Sequence, residues 1–138
     1  MARDEKIEHL KRVPLFSRLG RRELERLGQL ADEVTVGLDR TLTDQGASGS
    51  EFFIVLDGWV SVLDNRRQIA RLGPGEFFGE IALVEERPRT ATVRADGLVR
   101  LLVINHREFH TLMDEFPSVR EAVMQALAER ARPRPQAG

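Results

Sequence analysis

The segment over 73–95 constrains the fold of this 138-residue chain more than any other part of it. It begins with three glycines in seven positions, continues with an apolar run over 81–84, and returns through Arg87-Pro88-Arg89 to Thr-Ala-Thr-Val. This order predicts a turn, one or two helical turns, a tight return and a β-strand. Glycine before a short helix lets the backbone approach a bound group closely. The first helical turn offers unpaired N–H groups, so the segment predicts an anion-binding site.

Two charged residues of this segment indicate the kind of anion. Arg89 can hold a phosphate through two parallel hydrogen bonds, each on the order of 1.5–3 kcal/mol. Glu80 would repel a phosphate, so we expect it to bind another part of the same ligand. A ribose hydroxyl is the natural partner for such an acid. A phosphate, a ribose and a base together make a nucleotide.

The segment contains two motifs that resemble the phosphate-binding cassette of cyclic nucleotide-binding domains: Phe78-Gly79-Glu80-Ile81-Ala82-Leu83 and Arg89-Thr90-Ala91-Thr92-Val93. These domains are the sensors of catabolite-activator-type regulators, cyclic-nucleotide-dependent kinases and gated channels. We refer to residues 73–95 as the cassette. The resemblance runs from about Phe16 onward and implies that Glu80 binds the ribose 2′-hydroxyl and Arg89 the cyclic phosphate. The ligand-binding residues that it implies are Gly79, Glu80, Ile81, Ala82, Arg89, Thr90 and Ala91, the cradle being completed by main-chain N–H groups near Ile81, Ala82 and Ala91 and by the Thr90 hydroxyl.

The periodicity of the remaining chain predicts a mainly β protein with flanking helices. Apolar spacing predicts helices over 2–12, 21–30, 106–116 and 118–130, with Asn105 as an N-cap and Pro117 as a break. Alternation and turn signals predict strands over 34–38, 41–43, 52–56, 59–63, 68–72, 92–95 and 98–104. Short strands at roughly ten-residue spacing are typical of a sandwich or barrel. The resemblance narrows this to an antiparallel β-roll of the jelly-roll type, with an N-terminal helical bundle and C-terminal lid helices.

The predicted elements make one domain. We expect N-terminal helices packing on the roll over 1–30, the β-roll over 31–104, C-terminal helices over 105–132 and a flexible tail over 133–138. In the family, the final helix swings over the bound base and reports that the site is occupied. The resemblance therefore makes Leu127 and Arg130 candidate base caps. The alternative, that these residues only pack on the roll, stays open.

Charge and composition exclude several classes of protein. The chain has 21 basic and 22 acidic residues, so no global field attracts it to nucleic acid or to an anionic membrane. It has no cysteine, which excludes disulfides and thiolate metal sites. Charged residues over 3–6 interrupt any signal core, and no apolar run approaches the ~20 residues of a membrane helix. We expect a cytoplasmic protein with neither nucleic acid nor membrane as partner.

Competing chemical sites are weaker than the cassette. His106 and His110 have the spacing of helical metal ligands but lack a third ligand, and Glu85-Glu86 is typical of a solvated turn. The sequence has neither a Gly-x-x-x-x-Gly-Lys-Ser/Thr phosphate loop nor a Gly-x-Ser-x-Gly motif. A phosphodiesterase would need a metal or a general base near the phosphate. We therefore expect no metal, no cofactor and no enzymatic activity.

The functional hypothesis is a cyclic nucleotide sensor that couples ligand binding to movement of its C-terminal helix. Its ligand is cAMP or cGMP, with cAMP favoured. Thr90 can hydrogen-bond a guanine amine, as in the kinase branch of the family, but bacterial-type relatives carry Ser or Thr there while using cAMP. The alternative is a ligand-blind dimerisation or interaction domain that keeps the fold. The sequence leaves open the output, and whether a homodimer or an effector protein is the partner.

Overall fold

The computed structural model describes the backbone over residues 3–83 and 87–130, and the side chains in these ranges except at positions 3, 4, 15, 80, 81, 126, 127, 129 and 130. Helices α1 (Arg3–Lys11) and α2 (Arg21–Leu30) flank a 3-10 turn, Pro14–Phe16. Eight strands and one short 3-10 helix follow, and then helices α3 (His106–Glu115) and α4 (Pro117–Arg130). We call the 3-10 helix Glu80–Leu83 the cassette helix. The strands are β1 (Asp32–Val36), β2 (Thr41–Thr43), β3 (Glu51–Asp57), β4 (Val60–Asp64), β5 (Arg67–Leu72), β6 (Phe77–Phe78), β7 (Thr92–Ala95) and β8 (Val99–Asn105).

The strands form two antiparallel four-stranded sheets, ordered β1-β8-β3-β6 and β2-β7-β4-β5. This architecture confirms the predicted β-roll with flanking helices, and in the described chain the two sheets do not close into one barrel. Both ends of the strand predicted over 34–38 are wrong: β1 covers Asp32–Val36 and is mostly exposed. It ends early because the chain turns at Asp39, whose φ is 67°, and Leu38 therefore lies in the turn.

Strand β3 is the centre of the core because both of its faces are buried. Phe52, Ile54 and Leu56 pack against the helices, whereas Phe53 and Val55 pack against the second sheet. Successive side chains of a strand point to opposite faces, so a strand covered on both sides reads as a continuous apolar run. This explains why Phe-Phe-Ile-Val-Leu shows no alternation.

Aromatic and polar contacts attach the helices to the sheet. The Phe16 ring lies 5.7 Å from Phe52 and 5.8 Å from Phe109, which joins the N-terminal turn to β3 and α3. Lys6 donates from Nζ to the carbonyls of Gly28 (2.8 Å) and Ala31 (2.6 Å), and so pairs orphan acceptors at the end of α2.

The first half of α4 packs on the N-terminal helices. Val119, Ala122 and Val123 are buried there in the same cluster as α2 and the 3-10 turn. Two polar contacts support this position: Arg18 donates to Gln125 at 2.7 Å, and Ser118 donates to Glu23. In the described part of the chain, no helix combines the length and apolarity that crossing a bilayer requires.

Trp59, the one tryptophan of the chain, packs against Gly73, the first residue of the cassette. The Trp59 ring lies flat on Gly73, where a Cβ atom would come within 2.6–2.8 Å of three ring carbons. The Arg71 guanidinium lies on the same ring, 4.8 Å from its centroid. Glycine at this position therefore provides space for the indole, and the ring packs against the first residue of the cassette.

Candidate functional site

A cavity of about 320 Å³ lies between the second sheet and the cassette, within the size range of small-molecule sites. Its floor is apolar. Its polar edge is formed by residues 87–91, which follow the cassette helix and which we call the return segment. The lining residues are Thr43, Val62, Leu72, Phe77, Phe78, Gly79, Ala82, Arg87, Pro88, Arg89, Thr90, Ala91 and Val93. An apolar cavity with a few convergent polar groups suits a ligand with a flat base at one end and a charged group at the other.

The structure brings five of the residues singled out in the sequence to this cavity: Gly79, Ala82, Arg89, Thr90 and Ala91. Glu80 and Ile81 lie in the cassette helix, but their side chains fall outside the described residues. The roles of these two residues therefore stay predictions.

The two candidate base caps lie in α4. The side chains of Leu127 and Arg130 also fall outside the described residues. Among the described residues that line the cavity, none belongs to α3 or α4. The base-cap role of Leu127 and Arg130 stays a prediction as well.

The cassette helix begins at a left-handed glycine. Gly79 has φ +83°, a conformation that residues with a side chain rarely adopt. The Ala82 amide donates to the Gly79 carbonyl at 3.1 Å, so this N–H is engaged within the helix itself. The cassette helix then buries Leu83 completely. A glycine turn followed by a buried anchor holds the helix at the rim of the cavity.

Arg89 is a half-buried cation at the polar edge of the cavity. Its Nη2 donates to the Glu51 main-chain carbonyl at 2.7 Å. Burial lowers the pKa of Arg89, and the Glu51 charge opposes this only in part. Among the described side chains, no carboxylate hydrogen-bonds to this guanidinium. A partly desolvated guanidinium of this kind is stabilised by a ligand anion that accepts its remaining N–H groups.

The loop between β2 and β3 holds the return segment in place. Gly46 N donates to Arg89 O, and Arg89 N donates to Ala47 O, each at 2.8 Å. Ser48 and Pro88 form an isolated antiparallel bridge beside them. The sequence predicts no regular element between the strands over 41–43 and 52–56, so this pairing was missed. The pairing is made by main-chain N–H and C=O groups, which almost every residue type has, so the sequence does not reveal it. Only the two glycines at 46 and 49 indicate that another part of the chain packs closely against this loop.

The histidine pair connects α3 to the cassette. The rings of His106 and His110 lie 4.2 Å apart, and His106 Nδ1 lies 2.7 Å from the Ala82 carbonyl oxygen. A carbonyl only accepts, so this Nδ1 carries the proton and donates it. Within the described residues, no group of three His, Cys, Asp or Glu side chains could hold a metal ion.

Comparison with known proteins identifies the family. The family model of the cyclic nucleotide-binding domain matches residues 33–116. A cyclic nucleotide-gated potassium channel from Mesorhizobium japonicum is 36% identical over 118 residues. The match covers 86% of this chain, and the chain spans 33% of the channel's length.

Two solved structures share the fold. The N-terminal domain of a transcriptional regulator from Streptomyces coelicolor A3(2) superposes with a TM-score of 0.81 at 32% identity, over 88% of this chain and 91% of that one. A cyclic nucleotide-binding-like protein from Brucella abortus superposes with a TM-score of 0.74 at 26% identity, over 80% of this chain and 99% of that one. Together with the cavity and its arginine, these matches show that the chain belongs to the cyclic nucleotide-binding domain family.

Proposed function

We propose that this chain is a cyclic nucleotide sensor that binds cAMP in preference to cGMP. The observation that carries the proposal is the half-buried Arg89 guanidinium at the edge of an apolar cavity, without a carboxylate hydrogen-bonded to it among the described side chains. In the proposed complex Arg89 pairs with the cyclic phosphate and Glu80 accepts the ribose 2′-hydroxyl. Gly79, Ile81, Ala82, Thr90 and Ala91 complete the cradle. The proposal assigns binding, without catalysis.

The preference for cAMP rests on position 90. Thr90 is exposed at the rim. A hydroxyl there accompanies cAMP in the bacterial-type relatives that the sequence resembles. The Mesorhizobium relative is described only as cyclic nucleotide-gated, without a choice of base.

We further propose that binding is coupled to the C-terminal helix. The His106 hydrogen bond to Ala82 joins the first residue of α3 to the cassette helix, and α4 follows α3 after one residue. A ligand that shifts the cassette helix changes this contact, and a differential interaction of that kind shifts the population of helix positions. Leu127 and Arg130 are the proposed caps of the base. A cytoplasmic location and a homodimer or effector partner are further predictions of the sequence.

Calorimetric titration of the nucleotide-free protein tests the binding proposal. We expect cAMP to bind with a micromolar or tighter Kd and cGMP to bind more weakly. Arg89→Ala removes two charge-assisted hydrogen bonds to the phosphate, so we expect it to raise the Kd for cAMP about 100-fold or more. Arg94→Ala is the matched control, because Arg94 lies in β7, five residues after Arg89, but does not line the cavity.

Three outcomes would change the assignment. An unchanged Kd in Arg89→Ala contradicts the phosphate role of Arg89. A Kd for cGMP below that for cAMP reverses the base preference. A folded wild-type protein that gives no heat with either nucleotide favours the alternative, a ligand-blind dimerisation or interaction domain.

A further inference from the structure

Gly49 lies against the side chain of Arg89, although it is 40 positions away in sequence and outside the cassette. A Cβ atom at residue 49 would lie 1.8 Å from Arg89 Nε and 2.3 Å from Arg89 Cζ. Real Cβ atoms do not approach other atoms so closely. Any side chain at position 49 therefore requires the guanidinium to move.

Backbone conformation does not explain the glycine at position 49. Its φ lies outside the left-handed region, in which Gly46 and Gly79 are found with φ +85° and +83°. At such a φ a side chain does not meet the strain that the left-handed region imposes. The space taken up by Arg89 is the remaining reason for glycine at this position.

Three groups lie close to the guanidinium. Gly49 lies beside Nε, and the Glu51 carbonyl accepts from Nη2 at 2.7 Å. Gly79 lies near Nη1, from which a Cβ atom at residue 79 would be 2.9 Å away. The same loop pairs with the main chain of Arg89 through Gly46 and Ala47. The loop between β2 and β3 therefore sets both the main chain and the side chain of the arginine.

We propose that Gly49 is a positioning residue for Arg89, which holds the guanidinium at the edge of the cavity before any ligand arrives. The consequence for ligand affinity rests on the proposed function, whereas the effect on Arg89 does not. An arginine held in advance loses less side-chain entropy on binding an anion, so the loop contributes to affinity without touching the ligand.

A methyl group at position 49 provides the test. Because an arginine side chain is flexible, we expect Gly49→Ala to fold and to displace the guanidinium. Gly37→Ala is the matched control, because a Cβ atom at Gly37 would meet nothing within 4 Å and its φ is also ordinary. Nuclear magnetic resonance of arginine Nε–H groups in the nucleotide-free protein gives the direct readout, with the Arg89 signal assigned by its loss in Arg89→Lys.

We expect the Arg89 signal to shift or broaden in Gly49→Ala and to stay unchanged in Gly37→Ala. The Kd for cAMP should rise about 10- to 100-fold in Gly49→Ala, because a displaced guanidinium loses part of its charge-assisted hydrogen bonding to the phosphate. An Arg89 signal and a Kd that both equal those of the wild type would overturn the proposal. If the signal responds but the wild type binds no cyclic nucleotide, the positioning role stands and the proposed function fails.

A double variant separates contact with Arg89 from a general effect on the loop. In Gly49→Ala/Arg89→Ala the methyl group has free space, so Gly49→Ala should lower Tm in the wild-type background and leave it unchanged in the Arg89→Ala background. The same comparison applies if Gly49→Ala alone does not fold, because the double variant should then recover the fold. A double variant that is destabilised as much as Gly49→Ala rules out Arg89 as the cause.

Discussion

Burial lowers the pKa of two bases, Arg89 and His9, with different consequences. A guanidinium stays protonated at every physiological pH, so Arg89 keeps its charge despite the cost of burial. The ordinary pKa of His9 is near neutrality, so burial affects whether it carries a charge at all. Its pKa is lowered first by burial and then by the charge of Arg12, and among the described residues its buried Nδ1 has no hydrogen-bond partner.

The lowered pKa of His9 predicts a loss of stability on mild acidification. The unfolded chain binds a proton at His9 below pH about 6.5, and the folded protein only at lower pH. The stability that His9 contributes is therefore complete above that pH and is lost as the pH falls towards the folded-state pKa. Urea unfolding at pH 7.5 and 5.5 should show a larger loss for the wild type than for His9→Gln.

Titration of carboxylates does not affect the comparison of the wild type with His9→Gln between pH 7.5 and 5.5. The pKa values of Glu33, Asp96 and Glu115 are lowered, chiefly by hydrogen bonds from Arg100, Ser61 and Arg26 respectively. Their contributions are complete above their unfolded pKa values of about 4 and are lost only below them. Equal losses between pH 7.5 and 5.5 in the wild type and His9→Gln would exclude His9 as the source.

At the scale of residues, sequence reasoning found side chains within one contiguous motif. Arg89, Thr90 and Gly79 were recognised because the cassette places them close together in sequence. It missed the Glu51 carbonyl, at the start of β3, and Gly49, in the loop before β3, which both contact Arg89. Any residue at position 51 would supply the same carbonyl, and a glycine in a loop has many possible causes. Only the three-dimensional structure therefore shows these two contacts.

Elements were predicted most accurately where local chemistry determines them. The helix predicted over 21–30 and the one beginning after Asn105 are confirmed by α2 and α3. Strand β3 is confirmed and is one residue longer at each end than predicted. The position of the loop between β2 and β3 against the cassette could not be predicted, because it depends on pairing between residues about 40 positions apart.

Helix α3 depends on its N-cap. Asn105 Oδ1 accepts from Glu108 N at 2.8 Å, and Asn105 Nδ2 donates to the Glu108 carboxylate at 3.0 Å. Asn105→Ala leaves the helix amide unpaired, so we expect the free energy of unfolding to fall by about 1 kcal/mol in urea titration. Asn105→Ser keeps an acceptor and should lose only a few tenths of that amount. Equal losses for Ala and Ser would show that the cap does not stabilise α3.

In the whole molecule, the site and the C-terminal helices share one core. Leu83 of the cassette helix is buried in the same cluster as Phe109 of α3 and Val123 of α4. The His106 hydrogen bond adds a directional contact between the cassette helix and α3. A change at the cassette helix therefore has a packed route to α4. The family resemblance predicted that the last helix moves, but a single structure describes one position, so the movement stays a prediction.

His106→Ala tests this route. The variant removes one hydrogen bond, so we expect the coupling between cAMP and the position of α4 to fall by about 1 kcal/mol. Because the chain has no cysteine, spin labels can be attached at cysteines introduced only at Arg67 and Glu121, both of which are exposed. Pulsed electron paramagnetic resonance then measures the distance between β5 and α4 with and without cAMP.

Arg107→Ala serves as the control, since Arg107 is exposed on the same turn of α3 and makes no side-chain contact with the cassette among the described residues. A ligand-induced change in distance that is equal in His106→Ala and Arg107→Ala would show that the hydrogen bond does not carry the coupling.

The packing of Trp59 on Gly73 provides a built-in optical reporter. The chain has one tryptophan and no tyrosine, so its ultraviolet emission comes from a single indole. That indole is 44% exposed and touches the residue where the chain enters the cassette. Its emission wavelength and quenching will report changes in the packing of Trp59 against Gly73, at the start of the cassette. They can be followed in the unlabelled protein on the timescale of stopped-flow mixing.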